Sequence, residues 1–171
     1  MYKLLKATIV VTALAPALVF AGATNGDREI TISGQGQSDK DFDNNAFSFV
    51  ASFGKYISSK SQFGLRQSLS ISDPESGSTD VDGSTVGFYD YHFGRGDLRP
   101  FIGANLGYSY GDRTDETFSG GPEAGLKYYV LDKTFIQGLV QYQFLFDSSD
   151  DIEDNYDDGI IYYSVGMGYN F

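Results

Sequence analysis

Eight times along this chain, apolar and aromatic side chains alternate with Gly, Ser, Gln and Asn at a period of two. That pattern constrains the fold more than any other feature. Side chains of a strand point to opposite faces in turn, so a period of two marks strands with one apolar and one polar face. The alternating stretches are 28–37, 45–57, 62–72, 84–94, 99–110, 119–130, 134–146 and 159–171. In the last, Ile161, Tyr163, Val165, Met167, Tyr169 and Phe171 share a face, opposite Tyr162, Ser164, Gly166, Gly168 and Asn170. In the seventh, Ile136, Val140, Tyr142, Phe144 and Phe146 oppose Gln137, Gln141 and Gln143.

A soluble barrel or sandwich would show the same alternation with its apolar face inward. Three observations favour the inverse arrangement. The polar face carries Gly, Ser, Gln and Asn rather than the Lys and Glu of a soluble surface, which suits a narrow lumen filled by side chains. Aromatic residues gather toward strand ends (Phe47, Phe53, Tyr89, Tyr91, Phe93, Tyr110, Tyr128, Phe144, Phe146, Tyr169 and Phe171), as interfacial girdles require. The alternation still runs at Phe171, so Tyr169 and Phe171 have the form of a C-terminal assembly signal on a membrane barrel strand. A tilted strand crosses a bilayer in about 9–11 residues, a length that these stretches meet. The expectation is all-β: an eight-stranded antiparallel up-and-down transmembrane β-barrel.

The N-terminus reads as a secretory leader. Lys3 and Lys6 precede an apolar run, Ala7 to Phe20, that Pro16 interrupts and that is short for a membrane helix. Small residues follow at Ala21-Gly22-Ala23. Cleavage is expected after Ala23, with Ala21 as the alternative, giving a signal peptide over 1–23 and one barrel domain over 24–171. Removing 23 of the 171 residues leaves 148, and losing both lysines takes the net charge from −11 to −13. So acidic a chain lacks the basic patch that nucleic acid requires, and with no cysteine it has no disulfide framework.

The connections alternate in length and charge. Tight turns fall at Ser58-Ser59-Lys60-Ser61, Arg95-Gly96-Asp97-Leu98 and Leu131-Asp132-Lys133. Longer connections at 38–44, 73–83, 111–118 and 147–158 hold 17 of the 23 acidic residues. Short periplasmic turns alternating with long external loops are usual for such barrels. Lys55, Lys60, Arg95, Arg99 and Lys133 are expected at the opposite end.

By this point the chain resembles the small outer-membrane β-barrel domain family of OmpA/OmpX type. The likeness rests on architecture and on three phrases. They are Tyr89-Asp90-Tyr91-His92-Phe93 through Arg99-Pro100-Phe101-Ile102-Gly103-Ala104, Gly107-Tyr108-Ser109-Tyr110-Gly111-Asp112, and Gly121-Pro122-Glu123-Ala124-Gly125-Leu126-Lys127-Tyr128. The resemblance implies a bacterial outer membrane location. Adhesins, envelope-stabilising proteins, narrow pores and a few lipid-modifying enzymes share this architecture, so it does not fix a function.

The alternation points Glu29, Arg66, Asp90, Glu123 and Lys127 into the lumen. Symmetric pairing about residue 78 sets Arg66 opposite Asp90. About residue 132 it sets Glu123 opposite Gln141 and Lys127 opposite Gln137. These residues form either a pore constriction or an interior network that satisfies its own charges, and eight strands leave little room for water. The lone His92 lacks a neighbouring Ser–acid pair and is expected to be structural or interfacial, not catalytic. The acid-rich run Asp147 to Asp158 and the alternating Asp39, Asp41 and Asp43 invite a calcium reading. Tyr156 and Val50, however, occupy positions where an EF-hand needs ligands. No metal and no cofactor are therefore expected. The leading expectation is a non-enzymatic barrel plugged by side chains, with a structural or surface-interaction role through acidic loops. The alternatives are a narrow pore for small solutes and, third, a lipid-modifying enzyme. Expected partners are outer-membrane lipids and lipopolysaccharide, the barrel-assembly machinery during insertion, and an external ligand at the acidic loops.

Overall fold

The computed structural model describes residues 22–38, 45–72, 80–94, 96–111, 117–146 and 159–171. They form a closed barrel of eight strands: β1 (Arg28–Ser38), β2 (Asn45–Tyr56), β3 (Ser61–Ser72), β4 (Asp80–His92), β5 (Leu98–Gly111), β6 (Thr117–Tyr129), β7 (Thr134–Phe146) and β8 (Ile160–Asn170). Each strand pairs antiparallel with its neighbours in sequence, and β1 closes the barrel on β8, from Glu29↔Asn170 to Ser38↔Ile161. Closure matters because an open sheet would leave a row of unpaired backbone groups at each edge. A strand of twelve residues is about 40 Å long and at a barrel's usual tilt of about 40° rises about 30 Å, the thickness of a bilayer's hydrocarbon core.

The barrel is inside out relative to a soluble protein. Val165, Phe49, Leu65 and Leu106 are each more than 60% exposed, on four strands around the circumference. Polar residues at alternate positions, among them Glu29, Gln62, Arg66, Asp90, Asn105, Glu123, Lys127, Gln137 and Gln141, are buried inside. The aromatic residues read as girdles face outward, except that the side chain of Phe47 lies outside those described.

Local chemistry sets the short connections. Ser58 Oγ accepts from the backbone N–H groups of Lys60 (3.1 Å) and Ser61 (2.9 Å), and Ile57 N–H donates to Ser61 O at 2.9 Å. Between β4 and β5 the turn uses φ of +75° at Gly94 and +126° at Gly96, values that glycine adopts without steric cost. Between β6 and β7, Val130 and Leu131 N–H both donate to Thr134 O. Arg95 and all or most of each of the four long connections lie outside the described residues.

Two expectations need correction. β4 begins at Asp80 rather than residue 84, so Asp80 and Asp82 belong to a strand. The β3–β4 hairpin is therefore symmetric about residue 76, not 78, and Arg66 pairs with Val86 while Asp90 pairs with Gln62. An error of two in the loop centre moves every partner by four, which preserves the face but changes the neighbour. The pairs Glu123↔Gln141 and Lys127↔Gln137 stand as expected.

The chain's glycine and aromatic content has a packing logic. Inside the barrel Phe101 pairs with Gly125, and Phe135 pairs with Gly168. In both cases the ring lies against the glycine so closely that a Cβ there would overlap it. Large rings thus enter a narrow lumen because the neighbouring strand offers no side chain. Gly168→Val should displace the fully buried Phe135 and cost about 1–3 kcal/mol by overpacking, read as a lower urea midpoint of the lipid-folded protein. An unchanged midpoint would show that the ring has room to move.

Candidate functional site

The features that call for a chemical account are the charges within the barrel. Six Arg, Lys, Asp and Glu side chains are buried among the described residues: Arg66, Arg99, Lys127, Glu29, Asp90 and Glu123. Ion pairs join Lys127 to Glu29 and Arg66 to Glu123, as a low-dielectric interior demands of buried charge.

One cluster is built across the lumen between β1 and β6. Lys127 Nζ donates to Glu29 Oε1 (2.7 Å) and Oε2 (2.8 Å), to Tyr56 OH (3.0 Å) and to Gln62 Oε1 (2.9 Å). Tyr56 OH in turn donates to Glu29 Oε2 at 3.0 Å. The ammonium also sits 5.0–5.6 Å from the ring centroids of Phe135, Tyr56 and Phe101, where the ring faces attract a cation. His92 lies between Tyr56 and Phe101 with its ring tilted to both, Nε2 3.4 Å from Tyr56 OH and Nδ1 3.2 Å from Lys60 O. It is a lumen residue rather than an interfacial one.

A second cluster links β3, β5, β6 and β7. Arg66 binds Glu123 in a forked arrangement, NH1 to Oε2 at 3.2 Å and NH2 to Oε1 at 3.1 Å, and lies over Phe88. Asn105 Nδ2 (2.8 Å) and Gln141 Nε2 (3.1 Å) donate to the same carboxylate. Gln143 Nε2 donates to Asn105 Oδ1 and Gln143 Oε1 accepts from Ser119 Oγ, each at 3.1 Å. Glu123 and Lys127 lie four residues apart on β6, so the two clusters are stacked about 13 Å apart along that strand. Gln137 is buried on β7 beside Lys127. Asp90 is buried too, but its Oδ1 has no hydrogen-bond partner. The expected Arg66–Asp90 pairing is replaced by Arg66–Glu123, since Arg66 reaches across the lumen instead of along the hairpin.

Several interior residues were not singled out from sequence. Tyr56, Gln62, Phe101, Tyr129 and Phe135 are all buried. Parity would have placed Phe135 inward with Gln137, but a phenylalanine in a membrane strand reads as lipid-facing. Arg99, read as a cation at the barrel end, turns its guanidinium inward over Tyr129. Tyr169 and Phe171 stay outside at the end of β8, with stacked rings 6.5 Å apart.

On the outer wall, β4 to β7 carry an apolar groove of about 680 Å³ whose floor is made by Ala104, Pro122 and Ala124. Pro122 has no N–H, and the β6–β7 ladder skips there from Gly120↔Phe144 to Glu123↔Gln141. Behind it, the hydrogen bonds to Glu123 close the wall from within.

An apolar exterior, a closed eight-stranded wall and a polar interior define the small outer-membrane barrel fold. Among solved structures, Neisserial surface protein A has this architecture at a TM-score of 0.61 and 15% identity, covering 85% of this chain and 96% of that one. The outer membrane protein OprG from Pseudomonas aeruginosa matches at 0.64 and 12%, over 90% and 99%. The outer membrane protein H (OprH) from P. aeruginosa matches at 0.64 and 18%, over 85% and 99%. At these identities the likeness is one of fold. No family model and no curated protein sequence matches the chain.

Removing one partner of a buried ion pair strands the other, at a cost of about 3–5 kcal/mol. Lys127→Met should destabilise the folded barrel by about that amount in urea unfolding, and adding Glu29→Gln should restore at least half of the loss. Additive losses would show that the two side chains are not coupled.

Proposed function

We propose that the chain is exported and inserted into a bacterial outer membrane as a non-conducting, non-enzymatic barrel. Its role is to stabilise the envelope or to engage a surface partner through its acidic external loops. One observation carries this reading. Tyr56, Gln62, His92, Phe101, Lys127 and Phe135, drawn from six strands or strand ends, each have 1% or less of their surface exposed. At that level side chains fill the cross-section, and the Lys127 ammonium spends its hydrogen bonds on Glu29, Tyr56 and Gln62.

The membrane setting is supported by the apolar belt around the circumference, far more than a soluble monomer leaves in contact with water. Outer-membrane lipid and lipopolysaccharide would cover it. Tyr169 and Phe171, outward at the end of β8, would be open to the assembly machinery. With Asp80 and Asp82 reassigned to β4, fifteen of the 23 acidic residues remain in the connections between strands at one end of the barrel. An external ligand for that end would be cationic, or bridged by divalent cations.

Single-channel recording of the refolded protein in a planar bilayer tests the reading, with folding verified by a heat-dependent gel shift. A folded but electrically silent protein is the expected result. Discrete, reproducible conductance steps would replace the plugged barrel with the narrow pore.

A further inference from the structure

Residues 22–27 do more than lead into β1. They cross the short-turn mouth of the barrel and seat on its far wall. Gly22 N–H donates to Asp132 O in the β6–β7 turn at 3.3 Å. Arg99, on β5 diametrically opposite β1, donates from NH1 to Ala23 O at 3.4 Å, and Ala23 itself is buried. A Cβ at Gly22 would meet the Arg99 guanidinium, so a larger residue there would have to push that side chain aside. The strap then turns back. Thr24 N–H donates to Asp27 Oδ2 at 2.7 Å, Asp27 N–H to Thr24 O at 3.2 Å, and Gly26 N–H to Tyr56 O at 2.9 Å.

We infer that leader processing cuts between Ala21 and Gly22, so that the mature chain begins at Gly22 and its first two residues close this mouth. Cleavage after Ala23 would discard both residues that the Arg99 site is built around. It would remove the Ala23 carbonyl and open the mouth over Arg99, whose Nε already lacks a partner. Water adds across the Ala21–Gly22 amide, leaving a carboxylate on Ala21 of the leader and an ammonium on Gly22. That ammonium keeps the hydrogen bond to Asp132 O and adds two donors beside the turn. Ala21 supplies the small residue just before the cut.

This inference rests on the export reading, and one experiment separates them. The full 171-residue chain is expressed in a Gram-negative host, recovered from the outer-membrane fraction, and its N-terminal peptide is identified by mass spectrometry. Gly22 as first residue is the expected result. A mature chain starting at Thr24, or one keeping residues ahead of Gly22, overturns the inference. A chain found uncut outside the envelope overturns the export reading itself. Refolded chains starting at Gly22 and at Thr24 give a second measure. The first should unfold at a higher urea concentration, and equal midpoints would show that the strap closes nothing.

Discussion

The structure depends on the cost of holding charge in a narrow, water-poor lumen. A lysine ammonium in such a place must find acceptors on every side, and Lys127 finds them on β1, β2 and β3. These contacts reach across the barrel rather than along its wall, so they fix the relative heights of strands that are not neighbours in the sheet. The ladder hydrogen bonds alone could slide by two residues and keep the same faces. Two ion pairs, Lys127 with Glu29 and Arg66 with Glu123, then neutralise the charges of the two clusters.

Around that constraint the rest of the sequence is arranged by size. Rings enter the lumen where the adjacent strand presents glycine, as Phe101 does on Gly125 and Phe135 on Gly168. Outside, the same alternation exposes branched and aromatic residues, which only a hydrocarbon surrounding favours. The Gly-rich polar face and the aromatic outer face are therefore one device, which lets large rings and buried polar groups share the interior of a small barrel.

Much of this was legible from period two. The strands, their faces and the inward placement of Glu29, Arg66, Asp90, Glu123 and Lys127 all follow from alternation, because strand geometry is local. The partners do not follow. Lys127 and Glu29 are 98 residues apart and meet across the lumen, a contact set by strand stagger that no local pattern encodes. Arg66 shows the same limit: hairpin symmetry gave a neighbour four residues away from the observed one, and its true partner, Glu123, lies three strands on. Phe135 and Arg99 were obscured by identity, since phenylalanine suggests lipid and a terminal arginine suggests solvent. Both are instead drawn inward by a glycine gap or by a carbonyl from the strap.

The central claim is that the Lys127 ammonium is sealed from water by the groups around it. Its protons can be watched directly by ¹⁵N–¹H spectroscopy of the lipid-folded protein with labelled lysine, at neutral pH and ambient temperature. The account predicts an ammonium signal in slow exchange with water, with cross-relaxation to the rings of Tyr56 and Phe135. An ammonium that exchanges as fast as an exposed lysine would contradict it and show that water runs through the barrel at this level.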